Sequence, residues 1–419
     1  MQKSKIIVVG AGFAGIQLIK KLDENLFDVL LIDKINHHQF QPLFYQVATS
    51  QLEPSSISFP IRNIFKRKKN VQIRLAEVIG INEVDNKVNT TIGFFEYDYL
   101  VIAIGCKTNF YGNNDIAKNA FTLKSTYDAI AIRNHILQIF EDVISSNDEV
   151  KQSLLNLVIV GAGATGVELA GAFAEIKHNI LPKDYPGIDF SLFKIILIEG
   201  SKHTLNNMSS YAKNASNNYL KKLEVTVLTE TFVSNYDGLV LELNNGNKIY
   251  SKTVIWAAGV TGNTLQGLQS NYFTTASRLK VDRQSKIIGS QNIFAIGDIS
   301  FMTTPKYING HPQVANVAIN QAKDLAQNFK NILLCKPLKQ FEYNDLGSMA
   351  TIGTNKAVVD LPFISFKGYI AWMVWMFLHL MLILSVKNKL IIFINWAWAY
   401  ISKDTSLRLI LKPNKNNNS

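Results

Sequence analysis

Two glycine sets, 161 − 10 = 151 residues apart, constrain this chain more than any other feature in it. One apolar run leads into Gly10, Gly12 and Gly15, and a second leads into Gly161, Gly163 and Gly166. In each set the first glycine permits a tight turn. The second lets backbone approach a pyrophosphate, and the third lets the following helix pack on the strand. The helix start then offers unpaired N–H groups to the anion. A further strand ends in an acid each time, Asp33 and then Glu199, placed to accept from a ribose hydroxyl. Glu199 lies 199 − 161 = 38 residues beyond its first glycine, against 33 − 10 = 23 for Asp33, because residues 177–189 read as an insertion after the second helix. A single motif of this kind is weak evidence. Two, each with strand, helix and acid in place, predict an α/β fold with two Rossmann-like dinucleotide-binding domains and two dinucleotides.

With 419 residues and 47% hydrophobic content, the chain can bury the cores of about two to four domains and is not a disordered polymer. Its formal charge is +11, and residues 361–419 hold seven lysines and arginines against one acid, so 7 − 1 = +6 of the excess sits at one end. Such clustering asks for a local anionic partner. Nucleic acid and anionic lipid both qualify, and the apolar residues among these charges favour lipid. The two cysteines, Cys106 and Cys335, cannot build a disulfide framework or a CxxC zinc site, which suits a reducing compartment. The first strand begins by Lys5, so no signal peptide is expected. The pair His37 and His38 would face opposite ways in an extended segment and makes a poor metal clip.

Residues 34–49 are rich in aromatic and amide side chains, and Pro42 rules out a regular central strand there. The segment is either a surface for something flat or an irregular, half-buried connector. Residues 34–60 contain no cysteine, so a flavin held in the first cradle must send its electrons to something other than a protein disulfide. The basic run 62–69 reads as a solvated face or as a contact for lipid phosphates. Strands are expected at residues 71–81, 87–92 and 97–105, the last ending in Gly105, and a helix over 125–150. Residues 252–259 end the second dinucleotide fold at Ala258 and Gly259. A later strand ends in Gly297 and Asp298, and a helix is expected from Pro312 to about Asn331. Asp298 would hold a ribityl hydroxyl while the helix start stabilises charge on a reduced ring, unless this is an ordinary strand, loop and helix.

Residues 336–362 read as a small strand-rich piece. Residues 369–386 then run without a formal charge, a helix of roughly 27 Å, which is the lower edge of a membrane span. A second apolar run follows at 390–401. With Trp372, Trp375, Trp396 and Trp398 and their flanking lysines, the pair is expected to seat in one leaflet's interface, the alternatives being a buried core helix or oligomer contact and a true span. Residues 413–419 are Asn-rich and expected to be disordered.

Together, the two cradles, residues 36–48, the Gly-Asp strand, residues 315–321 and the tryptophan-rich basic end closely resemble the bacterial type II NADH:quinone oxidoreductases, over nearly the whole chain. The resemblance implies the two-dinucleotide-binding flavoprotein fold, divided as FAD domain 1–115, NADH domain 116–275, the rest of the FAD domain 276–335 and a membrane-associating region 336–419. It implies FAD on Gly10, Gly12, Phe13, Ala14, Gly15, Asp33 and Lys34, with Pro42, Val78, Gly105, Asp298 and Ala315 bordering the rest of it. NADH would lie on Gly161, Gly163, Gly166 and Glu199, with Ala258 and Gly259 in the same cleft. Glu168 would be the catalytic carboxyl near nicotinamide and flavin, or else simply an acid favoured at a helix start. The family's quinone signature Ala-Gln-x-Ala-x-Gln stands here with Asn316 and Asn320, each one methylene shorter. The implied partners are NADH, a membrane quinone, an anionic lipid surface and a homodimer mate, with no nucleic acid. The implied location is the cytoplasmic face of the inner membrane, without proton pumping. A ferredoxin-type or sulfide-linked reductase and a non-catalytic flavin-holding membrane protein are the alternatives.

Overall fold

A computed structural model describes residues 3–404 and 407–411. The chain forms two compact units, one from Met1–His38, Phe59–Lys107 and Val260–Asn344, the other from Gln39–Ser58, Thr108–Gly259 and Asp345–Ser419. The first unit opens with strand β1 (Ser4–Val9), helix α1 (Phe13–Lys21) and strand β2 (Phe27–Asp33), then adds β3 (Val71–Leu75) and β4 (Tyr99–Ile102). To the second unit belong the short helix α2 (Phe44–Ala48), strand β5 (Asn156–Val160), helix α3 (Ala164–Asn179), strand β6 (Lys194–Ile198) and helix α4 (Ser210–Lys222). Strands β7 (Thr226–Leu228) and β8 (Thr253–Trp256) complete its sheet. The chain returns to the first unit with β9 (Ile293–Ala295) and α5 (Ala315–Leu333). It closes in the second with β10 (Ser348–Thr351), β11 (Ala357–Asp360), β12 (Ser365–Lys367), α6 (Tyr369–Leu382) and α7 (Val386–Ser402).

In the first unit the sheet order is β9-β4-β1-β2-β3, parallel throughout. Parallel strands need both faces covered, and Ile6, Ile7, Val8 and Val9 on β1 are all buried. One covering layer is α5. Its buried Ala318, Ala322, Leu325, Ala326 and Phe329 recur at helical spacing and join α1 and β2 in one cluster. The second unit repeats the plan with β7-β6-β5-β8, again parallel. Both orders place the glycine turn after the central strand, where open α/β sheets bind their ligands.

The strand-rich piece expected over 336–362 forms later along the chain, as the antiparallel trio β10-β11-β12 between Ser348 and Lys367. Residues 34–49 avoid a central strand, as Pro42 required, and turn into a 3-10 turn followed by α2. Toward the C-terminus the apolar run breaks earlier than its composition suggested. Helix α6 stops at Leu382, where Ile383 is extended, and the Ser385 hydroxyl caps α7 at Asn388. The Asn388 side chain is tied to the Ser55 and Ser56 carbonyls, which fixes the break. None of the described helices is long and apolar enough to cross a membrane. Nor do all four tryptophans face outward: Trp375 and Trp396 are buried, whereas Trp398 is exposed. Residues 413–419 lie outside the described residues.

Candidate active site

At the first cradle Gly10 has φ +103°, and a Cβ there would strike the Ala103 carbonyl at the end of β4. A Cβ on Gly15 would strike the Gly10 carbonyl, so the turn and the helix close on each other only through glycine. Gly12 differs: a Cβ there meets nothing within 4 Å. Gly12 caps α1 without a side-chain bond, and the positive end of the helix dipole sits at this turn. Asp33 Oδ2 accepts from Ala11 N at 2.6 Å and Oδ1 from Ile35 N at 2.9 Å. Burial pushes its carboxyl up, and those two backbone donors oppose the shift. His38 lies beside the turn, its Nδ1 2.9 Å from the Ala11 carbonyl and its ring edge-on to Phe13. Burial holds this imidazole near 4, so it is neutral. His37 and His38 occupy opposite faces of a short strand, and no group among the described residues could hold a metal ion.

The second cradle reproduces this geometry within its own unit. Gly161 has φ +102° and touches backbone at Ala257 and Ala258, Gly166 closes on the Gly161 carbonyl, and Gly163 again faces open space. Glu199 plays the part of Asp33. Its Oε2 accepts from Ala162 N at 2.6 Å, while Oε1 accepts from Ser201 N at 2.8 Å and Ser201 Oγ at 2.7 Å. Gly259, at φ +76°, leaves room for Tyr111, whose hydroxyl occupies the place of the missing Cβ. In both cradles, then, the residues present fit a dinucleotide pyrophosphate.

Glu168 sits two residues past Gly166 on α3, facing away from water. Burial raises its carboxyl to about 8, so it is protonated at neutral pH. Its Oε1 accepts from Thr351 N at 3.3 Å. The indole of Trp375 opposes the rise from nearby, although its N–H completes no hydrogen bond of good geometry. Around the acid a chain of neutral bonds runs from Trp396 Nε1 to Gln46 Oε1 (2.8 Å), from Gln46 Nε2 to the Tyr45 hydroxyl (3.0 Å), and on to Thr351 Oγ1 (3.1 Å). A cleft of about 530 Å³ is lined by this acid together with Glu175, Trp372, Trp375 and Tyr400. Glu175 accepts from the amide and hydroxyl of Thr354, which holds the turn after β10 against α3.

In the first unit the Gly-Asp turn is anchored from behind. Gln321 is buried on α5, and its Oε1 accepts from Gly297 N at 2.8 Å and from Ser300 Oγ at 3.2 Å. The Asp298 carbonyl accepts from Arg278 Nε and Gln313 Nε2, both at 3.1 Å. Asn316 and Asn320 are half-buried in the first turns of α5, and Ala315 begins that helix. Gly105, at φ +64°, is open to its surroundings, and Val78 packs against the sheet. Lys34 is exposed and Pro42 half-buried.

Against known proteins, residues 4–322 match the pyridine nucleotide-disulphide oxidoreductase family and residues 346–403 match the NDH2 C-terminal domain. The type II NADH:quinone oxidoreductase Ndh of Mycobacterium tuberculosis is 32% identical over 96% of this chain and 89% of that protein. The chain belongs to the type II NADH:quinone oxidoreductase family. The corresponding protein of Staphylococcus haemolyticus is 29% identical over 85% of this chain and 89% of its own length. The structure of NDH2 from Plasmodium falciparum in complex with NADH superposes with a TM-score of 0.89 at 25% identity, covering 98% of this chain and all of that one. A sulfide:quinone oxidoreductase of Aquifex aeolicus shares the fold, with a TM-score of 0.74 at 18% identity.

Several residues around Glu168 carry no mark in the sequence of the part they play there. Tyr45, Gln46, Thr351, Trp375 and Trp396 build the surroundings of Glu168 from segments up to 396 − 45 = 351 residues apart. No local pattern announces such a neighbourhood. Gln321 was within reach, since it directly follows Asn320 at the end of the quinone signature. Its burial and the Gly297 amide it holds could not be read from spacing.

Proposed function

We propose that the chain is a flavoenzyme that oxidises NADH through FAD and reduces a membrane quinone. The observation that carries this reading is the pair of matching cradles, each with its second glycine open and its acid oriented by the turn's own backbone. FAD supplies hydride acceptance from NADH and onward electron transfer. In the first unit the glycine turn and the positive start of α1 bind its pyrophosphate, Asp33 takes a ribose hydroxyl with Lys34 alongside, and Val78, Gly105, Asp298 and Ala315 border the remainder. Pro42 is assigned to the same group on the family resemblance. In the second unit Gly161, Gly163, Gly166 and Glu199 bind NADH, and Ala258 and Gly259 line that cleft.

The net reaction, NADH plus quinone plus one proton giving NAD⁺ and quinol, requires a proton from the protein or solvent. Glu168 can hold it at Oε2, since Oε1 is engaged by Thr351 N and the carboxyl is neutral at pH 7. Asn316 and Asn320, one helical turn apart, offer amides to a quinone carbonyl. We assign the enzyme to the cytoplasmic face of the membrane, attached peripherally through the exposed apolar residues of α6 and α7.

The test is an anaerobic titration of the purified, flavin-loaded protein. Stoichiometric NADH is expected to bleach the flavin band, and a soluble quinone to restore it. A band that NADH leaves unchanged would remove the enzymatic reading, and one that NADH bleaches but quinone does not restore would remove the acceptor.

A further inference from the structure

Helix α4 and strand β12 border a cleft of about 590 Å³ that the reaction above does not use. Its walls are Ala215, Asn218, Tyr219, Lys221, Lys222 and Lys367. No carboxylate lines it. The nearest acids in sequence are already engaged: Glu224 pairs with Lys177 at 3.2 Å, and Asp360 accepts from Ser209 N and Oγ at 2.6 and 2.8 Å. All three lysines are exposed, and Lys367 Nζ rests 5.1 Å above the ring of Tyr211. The cleft is therefore an uncompensated cluster of three positive charges on one short stretch of surface.

The residues beside Lys367 are apolar and face water. Phe363 is fully exposed at the tip of the turn between β11 and β12, where Leu361 N donates to the Ile364 carbonyl at 2.9 Å. Ile364, Tyr369 and Ile370 are exposed as well, and Tyr369 begins α6. The Tyr219 hydroxyl lies against Gly368 between them, 3.6 Å from where its Cβ would be. A soluble phosphate would neutralise the lysines and leave this rim in water. A phospholipid would satisfy both, its phosphate in the cleft and its chains against Phe363, Ile364 and Ile370.

We propose that this cleft is a headgroup site for an anionic phospholipid, the place where the basic surface and the apolar edge of the chain meet the bilayer together. The inference rests on the peripheral attachment proposed above and adds to it a defined contact and a lipid preference.

Flotation of the full-length, flavin-loaded protein with vesicles tests this. One set is phosphatidylcholine alone, and the other carries phosphatidylglycerol at about one lipid in four. The cleft variant is Lys221→Gln, Lys222→Gln, Lys367→Gln. The control, with the same charge change, is Lys66→Gln, Arg67→Gln, Lys69→Gln on the exposed basic run. Each lysine near an anionic surface strengthens binding roughly fivefold, so the cleft variant, which loses three, should lose roughly a hundredfold of its partition onto the phosphatidylglycerol vesicles. The control should keep that preference, and binding to phosphatidylcholine alone should be the same for all three proteins, as should their thermal midpoints. Equal losses in the two variants, or no loss in the cleft variant, would overturn the site while leaving attachment intact. Glycerol phosphate that raises the thermal midpoint of the parent but not of the cleft variant, with no gain from phosphatidylglycerol, would reassign the cleft to a soluble phosphate. If the parent floats with neither vesicle, the peripheral attachment itself fails.

Discussion

The two cradles share a backbone and differ two residues beyond the third glycine. In the first helix that position is Gln17, half-buried and neutral; in the second, 17 + 151 = 168, it is Glu168, buried and protonated. The shared part explains holding. In both, a Cβ on the first or third glycine would strike backbone, the second glycine faces open space, and the acid is fixed by the turn, a shape that fits a pyrophosphate and a ribose. The difference is one of charge state: beside the second cradle, and not beside the first, this position carries a buried carboxyl held protonated.

The largest effect separates the first glycine from the second. Gly10→Ala must change φ and push back the Ala103 carbonyl, so it is expected to abolish flavin loading and soluble expression together. Gly12→Ala meets no protein atom, and should leave circular dichroism and the apoprotein's melting unchanged while flavin content falls. If both variants lose the fold, the open space at Gly12 is not a ligand's place.

Glu168→Gln comes next. Quinone turnover should fall by roughly a hundredfold or more if this carboxyl delivers the proton, and the decline of the parent rate as pH rises through about 8 should vanish. Stability reports the same group independently of turnover. Its folded value is raised, so between the ordinary carboxylate range and about 8 the native state binds the extra proton. Stability therefore drops as pH rises through that window, at most about 1.4 kcal/mol per pH unit, and levels off above it. The Gln variant should lack this slope. A variant that melts with the parent's pH profile would show that Glu168 is ionised in the fold.

A smaller effect is expected at Glu199, whose carboxylate should repel a 2′-phosphate. Glu199→Gln should raise the NADPH to NADH efficiency ratio by about tenfold, and a parent enzyme that already favours NADPH would contradict the assignment. Smallest is the pair Asn316→Gln and Asn320→Gln. A longer reach toward the quinone should shift its turnover several-fold, since a displacement of about 1 Å already matters, while anaerobic flavin reduction by NADH stays the same. Equal changes in both half-reactions would move the quinone site elsewhere.

What the sequence made legible follows from range. Gly10, Gly12, Gly15 and Asp33 act within 23 residues of one another, and so do the elements they join, which is why strand, turn, helix and acid could be read off twice. The burial of Glu168 was not readable, because Thr351 comes 183 residues later and Trp375 later still. The C-terminal run misled for a related reason. Its hydropathy is uniform, but Asn388 finds the Ser55 and Ser56 carbonyls and Ser385 caps a new helix, so one uncharged stretch becomes a short helix and a turn. Composition also could not separate Trp375 and Trp396, which pack inward, from Trp398, which does not.

If the two cradles hold different dinucleotides, Gly163→Ala should disturb one and spare the other. A Cβ there meets no protein atom within 4 Å, so only the ligand of the second cradle should notice it. In anaerobic stopped-flow, with the flavin signal as readout, the variant should show full flavin content and a half-saturating NADH concentration raised by about tenfold or more. Loss of flavin, or reduction with unchanged NADH dependence, would contradict it.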